Sequence, residues 1–486
     1  MTAPVINLLP YDKTSPDSIL AYAQRLKWKT FSQVLEEDEN LSEDQKEIIR
    51  KQFSMSKNKW WYGHFIEENF FYYNKNSNNE ADFPEAWVEL KVSPYEKNSK
   101  WLRAKERLVL TIINFMNDYK IPFENSHLLE KCALMLLIYY FYDKNKADDD
   151  YFINYVDLFQ FPETDYEIIK SDYNKIIKKI ADWKAHELSE GDTIYLWACT
   201  KWADSSVLRE QPNSSIPAKQ RAFCLKNSYM TMILNEYLAK GIHTYKTNED
   251  FIKQQLNWLK NEITYGKAVK DNDILKEKWF ENYIISKLEK YYGYNANDLL
   301  KQFWVNSISK SNYYILAKKM LWVDEDRIEE FDKANIEIKT IRLKSNWVPK
   351  EAMSFPTFKY MDIINQDYYD SDLYNLFYES KFLFMIFQYT DTKQSNLVFK
   401  KAMFWNVPWS DLEWDIKTAW NETKNRIIWW EYDKLITIKD NMIIHVRPHW
   451  INSKDRFSTP NWWTATKKCF WFNQKYIKEQ IEKGGN

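Results

Sequence analysis

Asp82-Phe83-Pro84-Glu85-Ala86-Trp87-Val88-Glu89-Leu90-Lys91 sets two carboxylates and a lysine in the spacing D-x6-E-x-K. Val88, Leu90 and Val92 alternate with Glu89 and Lys91. A strand over residues 86–92 therefore turns the apolar three toward a core and the acid and amine toward the opposite face. Asp82 precedes a proline-marked turn and can reach the same point. Two carboxylates held that close repel unless a hard cation lies between them, and Mg²⁺ held by one or two carboxylates plus a substrate phosphate is the usual answer. Lys91 would then steady an attacking water and the charge developing on phosphorus, as in a metal-dependent nuclease that hydrolyses phosphodiesters. Alone, acid-x-lysine on an amphipathic strand is more often a solvated face, so the rest of the chain has to decide.

With 486 residues the chain is long enough for two or three domains with real cores. Its net charge of -1 neither demands nor excludes a nucleic-acid partner. Lys91 to Arg107, directly after the acidic strand, carries six basic residues against two acidic ones, where a phosphate backbone would lie. No basic segment followed by an apolar one opens the chain, and no apolar run reaches the length of a membrane span, so neither secretion nor a membrane is expected. Cys132, Cys199, Cys224 and Cys469 lie far apart without a CxxC, which argues against a zinc cage or a disulfide framework and fits a reducing cytoplasm.

Ser15 as N-cap with Pro16 behind it predicts an opening helix. Arg107–Ile113 and Ala133–Tyr142 read as buried strands, and Thr164 with Glu167 as a capping box heading a helix that faces Ile169, Tyr173, Ile176, Ile177 and Ile180 inward. These elements alternate as an α/β core. The second half then repeats the first. Glu89-Leu90-Lys91 matches Glu337-Ile338-Lys339, and Lys201-Trp202-Ala203-Asp204-Ser205 matches His449-Trp450-Ile451-Asn452-Ser453, both about 248 residues on. Two domains are expected, at 1–238 and 273–486, joined by a polar linker over 239–272. In the second copy Lys318 falls opposite Glu67 and Glu330 opposite Asp82. A lysine in place of a metal ligand abolishes a cation site by charge, so the first copy is expected to be catalytic and the second to bind.

Lys59-Trp60-Trp61-Tyr62-Gly63-His64-Phe65-Ile66-Glu67 resembles a K-G-x-x-G-x-x-x-E helix, and Asp82, Glu89 and Lys91 the D-x6-E-L-K element, of the MutH-like family of GATC-specific endonucleases. Lys184–Gly191 and Ala218–Phe223 closely resemble stretches of a staphylococcal type II restriction enzyme of that family, and the resemblance covers nearly the whole chain. It implies an α/β fold of tandem duplicated restriction-endonuclease-like, PD-(D/E)xK domains, each a mixed sheet flanked by helices. Glu67, Asp82 and Glu89 would bind Mg²⁺ and Lys91 assist the water. Lys59 and the loop carrying Lys201 would contact DNA. His445-Val446-Arg447-Pro448-His449 resembles the family's arginine-proline-lysine base-reading loop, with His449 in the lysine position; arginine reads guanine through a bidentate major-groove contact. The implied protein is a cytoplasmic restriction endonuclease acting on double-stranded DNA at GATC, with a DNA-induced dimer and a cognate methyltransferase as its partners. A mismatch-repair-like nicking enzyme and an inactive DNA-binding regulator are the alternatives. Trp60 and Trp87 stand where the family has glycine, and Cys199-Thr200-Lys201 replaces arginine-proline-lysine in the first loop.

Composition bears on those departures. The chain has 7 glycines and 23 tryptophans, against an ordinary glycine content of about 7%. The two together are near their usual total, so the expectation is that many tryptophans are glycines in the natural protein, through a UGA codon read as tryptophan here and as glycine in its host. Trp28 falls opposite Gly293 in the repeat, Trp183, Trp197 and Trp202 take glycine-like turn positions, and Trp61 and Trp471 look genuine. Several of the former should then have positive φ.

Overall fold

The computed structural model describes residues 9–55, 60–73, 80–97, 101–200, 207–245, 263–305, 312–449 and 455–484. Two compact units meet in sequence at residues 262 and 263. Residues 263–272, expected in the linker, belong to the second unit, where Ala268 and Val269 are buried.

In the first unit Ser15 accepts the Ser18 N–H and Pro16 opens the helix Pro16–Ala23, as the sequence predicts. Its strands are β1 (Glu89–Lys97), β2 (Leu102–Ala104), β3 (Leu108–Ile112), β4 (Met135–Phe141), β5 (Ile153–Phe159), β6 (Leu196–Thr200), β7 (Leu208–Gln211), β8 (Ser214–Lys219) and β9 (Arg221–Leu225). β1 runs parallel to β4 and antiparallel to β2, and β4 antiparallel to β5, giving a mixed sheet of order β2-β1-β4-β5. A second sheet has the order β3-β9-β6. β4 is buried on both faces through Tyr140, which explains its near-continuous apolar sequence. Val88 and Leu90 join Phe65, Phe71, Leu136 and Ile138 in the core beneath the first sheet, with Val92 packed against it.

Two local expectations change. β1 begins at Glu89 rather than at 86, because Pro84–Trp87 form a tight turn closed by a pair of bonds between Phe83 and Val88 (Phe83 N–H to Val88 O, 2.9 Å; Val88 N–H to Phe83 O, 3.2 Å). The helix expected from Thr164 begins at Glu163. Pro162, at ψ 151°, ends the extended segment before it, so Thr164 lies buried in the first turn rather than at the N-cap.

The second unit contains β10 (Tyr265–Gly266), β11 (Arg327–Ile328), β12 (Ile336–Leu343), β13 (Met353–Phe358), β14 (Lys381–Tyr389), β15 (Leu397–Trp405), β16 (Ile444–Pro448), β17 (Arg456–Ser458), β18 (Thr464–Thr466) and β19 (Lys468–Phe472). β12 runs parallel to β14, and β14 antiparallel to β15, as β1, β4 and β5 do. β13-β19-β16 follows the order of β3-β9-β6. Trp405 stacks on Phe384 at 5.1 Å in its core. Among the described residues no helix is long and apolar enough to cross a membrane, and all four cysteines are buried and outside any disulfide.

Candidate active site

Glu89 stands at the first position of β1, 2% exposed, and it gathers the site. Lys91, two residues along on the same face, brings Nζ to 2.5 Å from its Oε1. The Asp82 backbone N–H donates to Glu89 Oε2 at 3.2 Å, while Asp82 Oδ2 accepts the Leu90 N–H at 2.8 Å. The turn over 84–87 thus folds Asp82 back onto the start of β1. Glu67 lies in the π-helical turn Ile66–Phe70 that follows the helix Trp60–Phe65, with its Oε2 3.3 Å from His64 Nδ1. Its charge is felt at both Asp82 and Lys91.

Lys131 was not singled out by sequence reasoning. It lies near the end of the short helix His127–Cys132, which Ser126 caps, and its Nζ sits 3.0 Å from Glu89 Oε2 while also donating to the Glu80 carbonyl. Only the parallel register, Glu89 opposite Met135, brings it there.

Electrostatics set the protonation states. Burial first, and then the neighbouring Glu89 charge, push Asp82 up to about 7 against the pull of Lys91 and Lys131. Burial would lower the Lys91 ammonium, but Glu89, Asp82 and Glu67 outweigh it and hold its pKa raised, so Lys91 stays protonated at neutral pH. Burial and Glu89 push the Cys132 thiol up, which excludes it as a nucleophile. The donor set fits Mg²⁺: hard carboxylate oxygens whose mutual repulsion a cation relieves. Among the described residues no three ligating side chains are grouped so as to hold a metal ion by themselves. Mg²⁺ commonly takes one or two carboxylates and completes its shell with water and phosphate.

The sign of the Asp82 shift gives a stability test. Its folded pKa is raised, so the penalty is absent below the ordinary carboxylate range, grows with rising pH and is complete above about 7. Asp82→Asn keeps an acceptor for the Leu90 N–H. It is expected to stabilise the metal-free protein more at pH 8 than at pH 5, by on the order of 2 to 3 kcal/mol in urea titrations. Equal gains at both pH values would mean that Asp82 is already ionised at pH 5.

The corresponding positions of the second unit are spent on structure. Glu337 and Lys339 pair on β12 at 2.8 Å. Lys318 donates to the carbonyls of Glu325 and Asp326, the latter at 2.9 Å. Glu330, 2% exposed, accepts the N–H groups of Ala268 and Val269, each at 2.9 Å.

Arg447 and His449 lie exposed at the end of β16. The Arg447 guanidinium is 5.8 Å from the centroid of Trp471, and His449 meets the same ring edge-on at 5.6 Å. His445 is buried against Asn473, its pKa lowered by that burial, whereas His449 is exposed just past the strand's end. Lys59 and Lys201 lie outside the described residues; β6 ends at Thr200, as β16 ends at Pro448.

The family model of the DNA mismatch repair enzyme MutH matches residues 71–172 and again 322–418. The chain is 33% identical over 469 residues to the type II restriction enzyme Sau3AI of Staphylococcus aureus, an alignment covering 85% of this chain and 91% of that enzyme. The chain belongs to the MutH family and is a site-specific deoxyribonuclease.

Proposed function

We propose that this is a Mg²⁺-dependent type II restriction endonuclease that cuts double-stranded DNA at GATC, built from tandem MutH-like units. The first unit cleaves and the second binds DNA without cutting. The contrast between Asp82, Glu89 and Lys91, drawn together around one point, and their counterparts Glu330, Glu337 and Lys339, of which Glu330 is turned to the backbone, carries this reading.

Asp82 and Glu89, with Glu67 beside them, would hold Mg²⁺, which supplies charge neutralisation on the phosphodiester and a more acidic water. Lys131 fixes the Glu89 carboxylate from the side away from Lys91. Lys91, protonated and half-buried, would donate toward the oxygen that gains charge on phosphorus; it cannot also be the base. Lys59, Lys201, Arg447 and His449 would engage the duplex. The likeness to a type II enzyme further implies a DNA-induced dimer and a cognate methyltransferase in the cytoplasm of the same cell.

Incubating a GATC-bearing plasmid with Mg²⁺ or with EDTA tests this in one gel. Double-strand cuts at GATC with Mg²⁺ alone are expected. Open circles without linear product would favour a mismatch-repair-like nickase, and intact plasmid a DNA-binding regulator. Arg447→Ala should weaken binding to the GATC duplex by about 1 to 3 kcal/mol and spare random duplex, as for a base contact. Equal losses on both duplexes, measured by anisotropy, would reassign Arg447 to the phosphate backbone.

A further inference from the structure

Twelve described non-glycine residues have φ between 51° and 67°, and eight of them are tryptophan: Trp28, Trp87, Trp183, Trp304, Trp322, Trp347, Trp430 and Trp462. In this region Cβ crowds the following carbonyl, and glycine, asparagine and aspartate are its ordinary occupants. Nothing about an indole favours it.

Four of the eight occupy one motif. Trp183, Trp304, Trp322 and Trp430 each donate their N–H to the carbonyl three residues back: Ile180 at 3.0 Å, Lys301 at 3.1 Å, Lys319 at 2.9 Å and Ile427 at 3.1 Å. The next residue in each case reaches the carbonyl five back: Lys184 to Lys179, Val305 to Leu300, Val323 to Lys318 and Glu431 to Arg426, over 2.8 to 3.0 Å. Those paired bonds are a Schellman cap, whose left-handed residue is most often glycine. The chain has its own example in Gly241, at φ 65°, which donates to Leu238 while Ile242 donates to Tyr237.

The other four have equally specific geometry. Trp347 and Trp462 end three-residue loops, donating to Lys344 O at 3.0 Å and Thr459 O at 3.1 Å, and the next residues accept from Lys344 and Thr459. A type I turn followed by a left-handed bulge residue closes hairpins of that length, and the bulge position calls for glycine. Trp28 donates to Ile153 O at 2.7 Å at the start of β5; Gly293, at φ 88°, makes the same bond to Phe399 O at 2.8 Å on β15. Trp87 closes the turn before Glu89 at φ 56°, where the second unit has Asn335 at φ 53° before Glu337. All eight rings are exposed, from 46% at Trp347 to 98% at Trp462. Trp405 and Trp420, at 2%, are core residues with ordinary backbone.

We infer that these eight positions are glycine in the natural protein, their codons being UGA, which one genetic code reads as tryptophan and another as glycine. The catalytic turn then has a glycine between Ala86 and Val88 in place of Trp87. Trp197, placed by the sequence among the glycine-like turns, is excluded: it is buried within β6, opposite Cys224. Trp61, in edge contact with Phe53, and Trp471, between Arg447 and His449, stay tryptophan. Trp60 opens a helix, so backbone angles do not sort it, and Trp202 lies outside the described residues.

Tandem mass spectrometry of the protein purified from cells that carry the gene decides each position. Glycine at the eight sites is expected, with tryptophan at 405 and 420; tryptophan at the eight overturns the inference. An independent readout needs no native source. Exchanging all eight for glycine in recombinant protein should raise Tm by roughly 5 to 15 °C, whereas Trp405→Gly or Trp420→Gly should lower it. A fall in Tm on the eightfold exchange would count against the geometric case.

Discussion

Lys91→Ala, Asp82→Ala and Glu89→Ala are each expected to slow cleavage by about 10³-fold or more while leaving duplex affinity within about tenfold. Cleavage depends on groups aimed at the reacting phosphate, the role proposed above for these three. Affinity depends on cations along the backbone and on base contacts elsewhere, which none of the three supplies. Lys91→Ala has a further consequence, since it leaves Glu89 with Lys131 as its remaining ammonium partner. Glu337→Ala and Lys339→Ala are the matched controls and should cut at the parental rate, because Lys318 and Glu330 are committed to backbone partners. Single-turnover cleavage and anisotropy on the same duplex separate the two quantities. Loss of binding along with cutting would make these residues part of docking, and loss of cutting in the controls would refute the division of labour between units.

Glu330→Ala is expected to destabilise the second unit by about 3 to 5 kcal/mol. Each carboxylate oxygen takes one buried N–H, from Ala268 and Val269, and nearby Lys287 donates to the Ala268 and Leu321 carbonyls. Truncation orphans both donors and removes the negative charge that supports the buried ammonium. Burial already depresses Lys287 to about 8, and Glu330 opposes that shift. The variant should therefore lower the Lys287 pKa as well. Urea unfolding followed by Trp405 and Trp420, both in that unit's core, measures the loss; a change under about 1 kcal/mol would mean that water replaces the carboxylate at no cost.

Much of this was legible in the chain because the relevant signals are local. Ser15-Pro16 specifies a helix start, and the apolar run before Tyr142 specifies a doubly covered strand, whatever surrounds them. Glu89 and Lys91 share a face because a strand alternates. What was not legible depends on pairing between segments distant in sequence. Lys131 reaches Glu89 only because β1 and β4 run parallel in one register. Residues 263–272 read as linker because they are polar, yet Gly266 pairs with Ile328 and the following backbone is held by Glu330. The start of β1 was misplaced for a different reason: Trp87 carries strand propensity, and the turn it closes needs a residue with none.

The left-handed tryptophans also bear on where such a gene can live. If codon 28 is UGA, a ribosome of the ordinary code releases the chain after Lys27, before any of Glu67, Asp82, Glu89, Lys91 and Lys131 has been made. A restriction gene is dangerous to a cell whose DNA is not yet methylated, and transfer to a new host is when that danger is greatest. Spelled this way, the nuclease is silent in any recipient that stops at UGA, and its inheritance is confined to lineages that share the codon's meaning.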